Sequence, residues 1–150
     1  MAQQENDTDF HAKLVPLTPE ARNAASRQEL LVEELPFCMG RDLRDRHNSS
    51  FRLFRRERRR SGQTGPNHVY LAEKDRPHRV SRRHLLINRE GGRFYVEDRR
   101  SACGTLVDGV TLGGQREGGR RWLIHGAVII LGGNHSPFAF KFLAPDGPRR

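Results

Sequence analysis

The segment from residue 68 to residue 143 consists of short apolar runs separated by glycine-containing turns. The runs are rich in β-branched and aromatic residues, and in order they read HVYLAE, HLLIN, RFYVED, GTLV, VTL, WLI, AVIIL and FAFKFL. In the last run Phe138, Phe140 and Phe142 recur at every second position, which is the period of a strand with one buried face. Many short strands with turns at intervals of roughly 8–12 residues predict an all-β sandwich or barrel. No run is followed by a long amphipathic helix, which argues against a doubly wound α/β fold.

The first 42 residues predict three further strands. FHAKLVPL, from Phe10, has the loose alternation of a first strand that ends at Pro16. The stretch TPEARNAASRQ has turn composition and could form a helical turn, but it has no strong apolar stripe. In ELLVEELPFCMGRD we expect two short strands, at about 29–34 and 36–41, because Pro36 interrupts the run.

The length and the charge distribution predict one domain with a basic insertion. A chain of 150 residues is long enough for one hydrophobic core and short for two. We expect a disordered tail at 1–9, a domain at 10–143 with an insertion at about 43–67, and a second tail at 144–150. We expect the domain to be a monomer.

The insertion contains eight arginines against Asp45 and Glu57, so it carries +6 of the formal net charge of +9. It could be a solvated loop, or it could extend a binding groove towards acidic residues. It could also bind nucleic acid through phosphate contacts and base stacking, because Phe51 and Phe54 lie among its cations. The cations expected to contact nucleic acid are Arg55, Arg56, Arg58, Arg59 and Arg60.

The sequence predicts neither a membrane segment nor a disulfide framework. The N-terminus, MAQQENDTD, is acidic, and the apolar run AVIIL at 127–131 is far too short to cross a bilayer. Cys38 and Cys103 are expected to be free thiols in a reducing compartment, although a disulfide between them remains an alternative. We therefore expect a cytoplasmic bacterial protein, or a nuclear one if the host is a eukaryote.

No constellation of residues indicates catalysis, and we expect a protein that is not an enzyme. Ser81 lies in no GxSxG elbow, and GGQREGG lacks the Lys-Ser/Thr pair and the helix of a phosphate-binding loop. The seven histidines are scattered, so neither a metal site nor a cofactor is expected.

Four short motifs follow one another at ordered intervals. They are MGRD at 39–42, VSRRH at 80–84, DRRSACGTLVDG at 98–109 and LIHGAVIILGG at 123–133. Together they resemble the forkhead-associated (FHA) domain, over roughly residues 10–143. This resemblance implies a β-sandwich of about eleven mostly antiparallel strands, which binds phosphothreonine peptides of partner proteins through the loops at one end.

The resemblance also implies which residues bind phosphate. Arg41 matches the family's arginine that contacts phosphate, and a guanidinium can donate two parallel bonds to phosphate oxygens. Ser81 matches the family's serine that donates its hydroxyl, and Arg82 follows it as a further donor. From the residues alone, Arg41 could be a plain exposed arginine and Ser81 could cap a turn, while Arg82 and Arg83 could lie on a solvated face.

Other matched residues are expected to support the site. His84 matches the family's histidine, whose role is mainly to brace the binding loops by hydrogen bonds. Gly40 and Gly104 match glycines that permit tight loop conformations, and Thr105 follows in the same loop.

The loop SACGT at 101–105 departs from the family's usual S-T-N-G-T. Ala102 and Cys103 occupy two positions expected to contact the phosphopeptide, and cysteine is a poor hydrogen-bonding group. Each lost hydrogen bond costs about 1 kcal/mol, whereas a micromolar interaction amounts to about 8 kcal/mol. We therefore expect binding that is weakened or changed in specificity. The alternative is a degenerate FHA scaffold that binds partners without phosphate.

Overall fold

The computed structural model describes residues 11–42 and 67–145 of the chain. The predicted tail at 1–9, nearly all of the insertion at 43–67 and most of the tail at 144–150 lie outside the described residues. The arginines expected to bind nucleic acid lie outside them as well: Arg55, Arg56, Arg58, Arg59 and Arg60. The domain boundaries and the nucleic-acid hypothesis therefore stay predictions.

The described residues form two β-sheets and one short helix, which confirms the predicted all-β sandwich of about eleven strands. The strands are β1 (Lys13–Pro16), β2 (Leu30–Leu31), β3 (Phe37–Arg41), β4 (Val69–Leu71), β5 (Leu85–Glu90), β6 (Arg93–Asp98), β7 (Thr105–Val107), β8 (Val110–Leu112), β9 (Gly119–Leu123), β10 (Val128–Leu131) and β11 (Ala139–Leu143). The six-stranded sheet has the order β2-β1-β11-β10-β7-β8 and the five-stranded sheet the order β4-β3-β5-β6-β9. Among the described strand pairs, only β3 and β4 run parallel.

The register of the five-stranded sheet brings three of the four motifs to the same end of the sandwich. Met39 near the end of β3 pairs with Leu85 at the start of β5, and Leu85 pairs with Asp98 at the end of β6. The segments that adjoin these positions, 80–84 and 98–104, therefore emerge side by side. In the other sheet Thr105 of β7 pairs with Leu131 of β10. The fourth motif, at 123–133, therefore reaches the same end of the sandwich.

The strand predicted at 29–34 is shorter in the structure. It is reduced to β2, because Leu31 already pairs with Lys13, the first residue of β1. One further backbone bond follows, from the Val32 N–H to the Ala12 carbonyl at 3.0 Å, and the next residues, Glu33 and Glu34, are exposed.

The turn-like stretch after β1 is an α-helix, α1 (Pro19–Ala25). Thr18 caps it, since its Oγ1 accepts a hydrogen bond from the Ala21 N–H at 3.0 Å. The buried face consists of Ala21, Ala24 and Ala25, which explains why the sequence shows no stripe of large apolar residues. No helix within the described ranges is long and apolar enough to cross a membrane.

The hydrophobic core lies between the two sheets. The three phenylalanines predicted to share a face are all buried, with Phe138 7% exposed and Phe140 and Phe142 0%. Phe94 of β6 lies edge-on against Phe142 of β11, with the ring centroids 5.3 Å apart. This contact joins the two sheets directly, because β6 and β11 belong to different sheets.

We expect Phe142→Ala to lower the free energy of unfolding by about 3–5 kcal/mol, because it leaves a cavity between the sheets. Urea denaturation measures the change. Leu31→Ala is the control, because Leu31 is 54% exposed and exposed substitutions usually change stability by less than about 0.5 kcal/mol. Equal losses in the two variants would contradict the described core.

Candidate functional site

Arg41 is held by two bonds to the segment that precedes β5. Its backbone N–H donates to the Ser81 carbonyl at 2.9 Å, and its Nε donates to the Val80 carbonyl at 3.0 Å. These bonds fix the guanidinium plane. The side-chain bond to Val80 uses only Nε, so the two terminal nitrogens of the guanidinium can donate to another acceptor.

Ser81 connects this segment to the loop between β6 and β7. Its backbone N–H donates to Nδ1 of His84 at 2.9 Å, and its Oγ accepts a bond from the Ala102 N–H at 3.0 Å. The hydroxyl oxygen thus has a structural role. The hydroxyl proton takes no part in that bond, so Ser81 can still donate to a ligand.

His84 is fully buried and joins the two loops. Because Nδ1 accepts from Ser81, the proton lies on Nε2, which donates to the Gly104 carbonyl at 2.8 Å. Burial lowers the pKa of His84, although the Gly104 bond and the charge of Asp98 oppose that shift. The ring is therefore a neutral group that connects the two loops by hydrogen bonds.

Asp98 organises the loop that leads into β7, and sequence reasoning missed it. It is 2% exposed, its Oδ1 accepts from the Ser101 N–H at 2.9 Å, and its Oδ2 accepts from the hydroxyls of Ser101 at 2.6 Å and Thr105 at 2.8 Å. The Ser101 hydroxyl oxygen accepts from the Gly104 N–H at 2.9 Å. Thr105 thus helps to hold the Asp98 carboxylate.

The alternation of β6 could have revealed Asp98. Phe94 and Val96 face the core, and the same period of two places Asp98 inward. A carboxylate at an inward position requires several donors, and Ser101 and Thr105 are the nearest hydroxyls that follow in the sequence.

Gly40 is needed because another backbone approaches it closely. A Cβ at this position would lie 1.9 Å from the Arg82 carbonyl oxygen and 2.4 Å from Nδ2 of Asn67. That Nδ2 donates to the same Arg82 oxygen at 2.7 Å. Gly40 itself lies in β3 without a left-handed φ, so it differs from Gly104, whose φ is +86°.

Four of the five predicted ligand positions, Arg41, Ser81, Arg82 and Ala102, line one open cleft of about 750 Å³. The complete lining is Arg41, His78, Val80, Ser81, Arg82, Arg83, Arg100, Ala102 and Arg116. Cys103 is not part of it. Sequence reasoning did not single out His78, Arg100 or Arg116 as ligands.

A family model describing the FHA domain matches residues 58–132, half of the chain. The chain belongs to the FHA family. None of the curated proteins is similar enough in sequence to count as a match.

Solved structures share this fold. The chain is 18% identical to EmbR of Mycobacterium tuberculosis, which was solved with a low-affinity phosphopeptide; the TM-score is 0.56, and the match covers 94% of this chain but only 26% of EmbR. For the FHA domain of CT664 of Chlamydia trachomatis the identity is 19%, the TM-score 0.53 and the coverage 92% and 99%. The MEK1 FHA domain was solved with a phosphothreonine peptide of HOP1. Its identity to this chain is 17% and the TM-score is 0.51, and the match covers 91% of this chain and 99% of that domain. Identities this low establish the fold alone.

Two arginines of the cleft of this FHA domain have an unusual backbone. Arg100 and Arg116 have φ values of 60° and 63°, and Gln115 beside Arg116 has 50°. Non-glycine residues in this region cost about 1 kcal/mol each. Hydrogen bonds hold the turn that contains Gln115 and Arg116. The Gln115 N–H donates to the Ala102 carbonyl at 2.9 Å, and the Arg116 N–H donates to the Ser101 carbonyl at 3.1 Å.

The cleft is strongly cationic. Five of its nine lining residues are arginines, and no acidic residue of the described part of the chain lines it. Burial, and then the charge of Arg82, lower the pKa of Arg41, as expected where cations are brought together. The cleft can therefore hold an anion with more than one charge. Within residues 11–42 and 67–145 no cluster of side chains could hold a metal ion.

The two cysteines have different surroundings. Both are free thiols; Cys38 is buried in β3, and Cys103 is exposed in the β6–β7 loop. Burial raises the pKa of the Cys38 thiol, although Arg99 and Arg83 oppose the shift.

We expect Gly40→Ala to destabilise the domain by about 1–3 kcal/mol, the usual cost of overpacking. The new methyl group must displace the Arg82 backbone, so the amide signals of residues 81–84 should shift in a ¹H–¹⁵N spectrum. Gly109→Ala is the control: its φ of +81° carries a backbone cost, but a Cβ there meets nothing within 4 Å. Unchanged signals at 81–84 in Gly40→Ala would contradict the close approach.

The neutral state of His84 predicts a stability that depends on pH. Because folding lowers the pKa of His84, its contribution is complete above the unfolded pKa of about 6.5 and is lost as the pH falls below that value. We expect the urea midpoint of the wild type to fall between pH 7.5 and pH 5. The fall should be smaller in His84→Gln, which has nothing to protonate in this range; equal falls in the two proteins would refute the assignment.

Proposed function

We propose that this FHA domain binds phosphothreonine peptides and thereby recruits phosphorylated partner proteins in signalling. The observation that carries the proposal is the rigid placement of the Arg41 guanidinium and the Ser81 hydroxyl on one cationic cleft. Arg41 and Ser81 hold the phosphate, and Arg82 adds a third donor. A phosphate dianion surrounded by arginines and neutral donors is the usual chemistry of phosphopeptide recognition.

The neighbours support the ligand class. EmbR was solved with a phosphopeptide and the MEK1 FHA domain with a phosphothreonine peptide. Here the cleft takes the same kind of ligand, with selectivity for phosphothreonine.

The β6–β7 loop supports phosphate binding even though its side chains depart from the family pattern. The N–H of Ala102 already donates to Ser81, and its carbonyl accepts from Gln115. Its backbone therefore shapes the wall of the cleft, and the Asp98 hydrogen bonds keep that shape without help from the side chains of Ala102 and Cys103.

We also propose that the domain is not an enzyme. The bond between Ser81 and His84 uses the backbone N–H of Ser81, while Nε2 of His84 is occupied by Gly104. His84 therefore cannot act as a base towards the Ser81 hydroxyl. No other nucleophile and base are paired in the cleft as described.

We expect Arg41→Ala to weaken binding of a phosphothreonine peptide pool about 10- to 100-fold, because hydrogen bonds to charged groups contribute about 1.5–3 kcal/mol each. Arg82→Ala should weaken it less. Arg121→Ala is the matched control, since Arg121 is an exposed arginine of β9 outside the cleft and its removal changes the net charge equally. Fluorescence anisotropy measures the affinities.

Two outcomes contradict the proposal. If Arg41→Ala binds as well as Arg121→Ala does, Arg41 does not hold the phosphate. If the pool and its unphosphorylated counterpart bind equally, the chain is a scaffold that binds without phosphate, which Ala102 and Cys103 left as the alternative.

A further inference from the structure

Arg100 and Arg116 line the cleft but come from different turns than Arg41 and Ser81. Arg100 lies two residues after the end of β6, and Arg116 lies in the turn between β8 and β9. Neither is needed to explain how one phosphate is held by Arg41, Ser81 and Arg82. Both side chains therefore remain available to a second group on the ligand.

The backbone at these two positions indicates a role for the side chains. Both arginines adopt left-handed φ values, which glycine would adopt without strain. The turn that contains Arg116 already has glycines on both sides, at 113, 114, 118 and 119. Non-glycine residues that retain this strained conformation beside a cleft point to a function of their side chains.

Hydrogen bonds fix the turn between β8 and β9 relative to Ser81, which is proposed to bind the phosphate. The Arg116 N–H donates to Ser101 and the Gln115 N–H to Ala102, while the Ala102 N–H donates to Ser81. The backbone of Arg116 and the hydroxyl of Ser81 are thus both hydrogen-bonded to the β6–β7 loop. The spacing between the two positions is built into the fold.

The charge of the cleft exceeds what one phosphate can balance. Five arginines line it, and a phosphothreonine carries a charge of about −1.5 to −2. No ion pair within the described ranges involves any of these five arginines. Arg100 also borders a neighbouring depression whose lining includes Glu97 and Glu117, and these carboxylates would repel an anion that approached Arg100 from that side.

We propose that Arg100 and Arg116 form a second anion subsite, so that the preferred ligand has further negative charge beside its phosphothreonine. This inference rests on the proposed function and adds the ligand's sequence class. The charge can come from a second phosphate or from Asp and Glu side chains. Both would form the same charge-assisted bonds with the guanidinium groups.

Four immobilised peptide pools test the proposal. The first has an unphosphorylated central Thr and acidic flanks, and the second a central phosphothreonine with neutral flanks. The third has a central phosphothreonine with Asp and Glu at the flanks, and the fourth a central phosphothreonine with a second phosphothreonine at each flanking position in turn. Retention of the folded chain on each pool is compared, together with its loss as NaCl rises, because salt screens exposed charges.

The variants are chosen to keep the fold. Arg100→Gly and Arg116→Gly remove the side chains and place glycine at φ values that suit it, so their stability should equal or exceed that of the wild type. Gln115→Gly is the matched control: it relieves the same kind of strain in the same turn, keeps the backbone bond to Ala102 and removes no charge.

We expect the wild type to prefer the third or the fourth pool over the second by at least about fivefold, as two exposed charge pairs would give. The double variant Arg100→Gly/Arg116→Gly should lower this ratio to about one, while Gln115→Gly should retain it. Preference for the fourth pool alone identifies a second phosphate as the source of the charge, and preference for both pools includes Asp and Glu.

Other results would overturn the subsite or the function separately. A phosphate-dependent retention without preference among the last three pools refutes the subsite and leaves the proposed function intact. An equal loss on the second, third and fourth pools in the double variant places these arginines on the first phosphate, which also refutes it. Equal retention of the first and third pools refutes phosphopeptide recognition itself.

Discussion

The buried carboxylate of Asp98 is the group on which the binding end of this FHA domain depends. It accepts three hydrogen bonds from Ser101 and Thr105, and through Ser101 it fixes Gly104. The Gly104 carbonyl then accepts from His84, whose other nitrogen accepts from Ser81. A buried charge without donors is costly, so the sandwich and the loop shape stabilise each other. The rigidity of the cleft thus begins in the core.

The sequence predicted the sandwich because its strands are short and regularly spaced, and because Phe138, Phe140 and Phe142 alternate with other residues. For the stretch of α1 it predicted no more than a helical turn, since the buried face of that helix is made of alanines. It missed Asp98 because the alternation of the run RFYVED was not followed to its last residue, where an inward position carries a carboxylate. In each case the outcome followed from how clearly the buried face is marked by large apolar side chains.

The residues of the candidate site could be inferred from the sequence where they lie in short motifs, and not where tertiary contacts bring them together. Arg41, Ser81 and Arg82 lie in motifs that adjoin strand ends, and the register brings them together. Arg100 and Arg116 line the cleft from turns in which both residues have left-handed backbones. For Arg116, bonds from Arg116 itself and its neighbour to the β6–β7 loop hold that conformation. No local pattern encodes such a conformation for a non-glycine residue.

The unequal surroundings of the two thiols give the chain a selective chemical handle. Reaction with an alkylating reagent needs an accessible thiolate. Cys38 is buried with a raised pKa, whereas Cys103 is exposed one position after Ala102 of the cleft. A thiol-reactive dye added to the native chain will therefore attach at Cys103 and lie beside the cleft. The substitution that removes a polar side chain from the family's usual loop also supplies a reporter position for ligand occupancy, without any engineered residue.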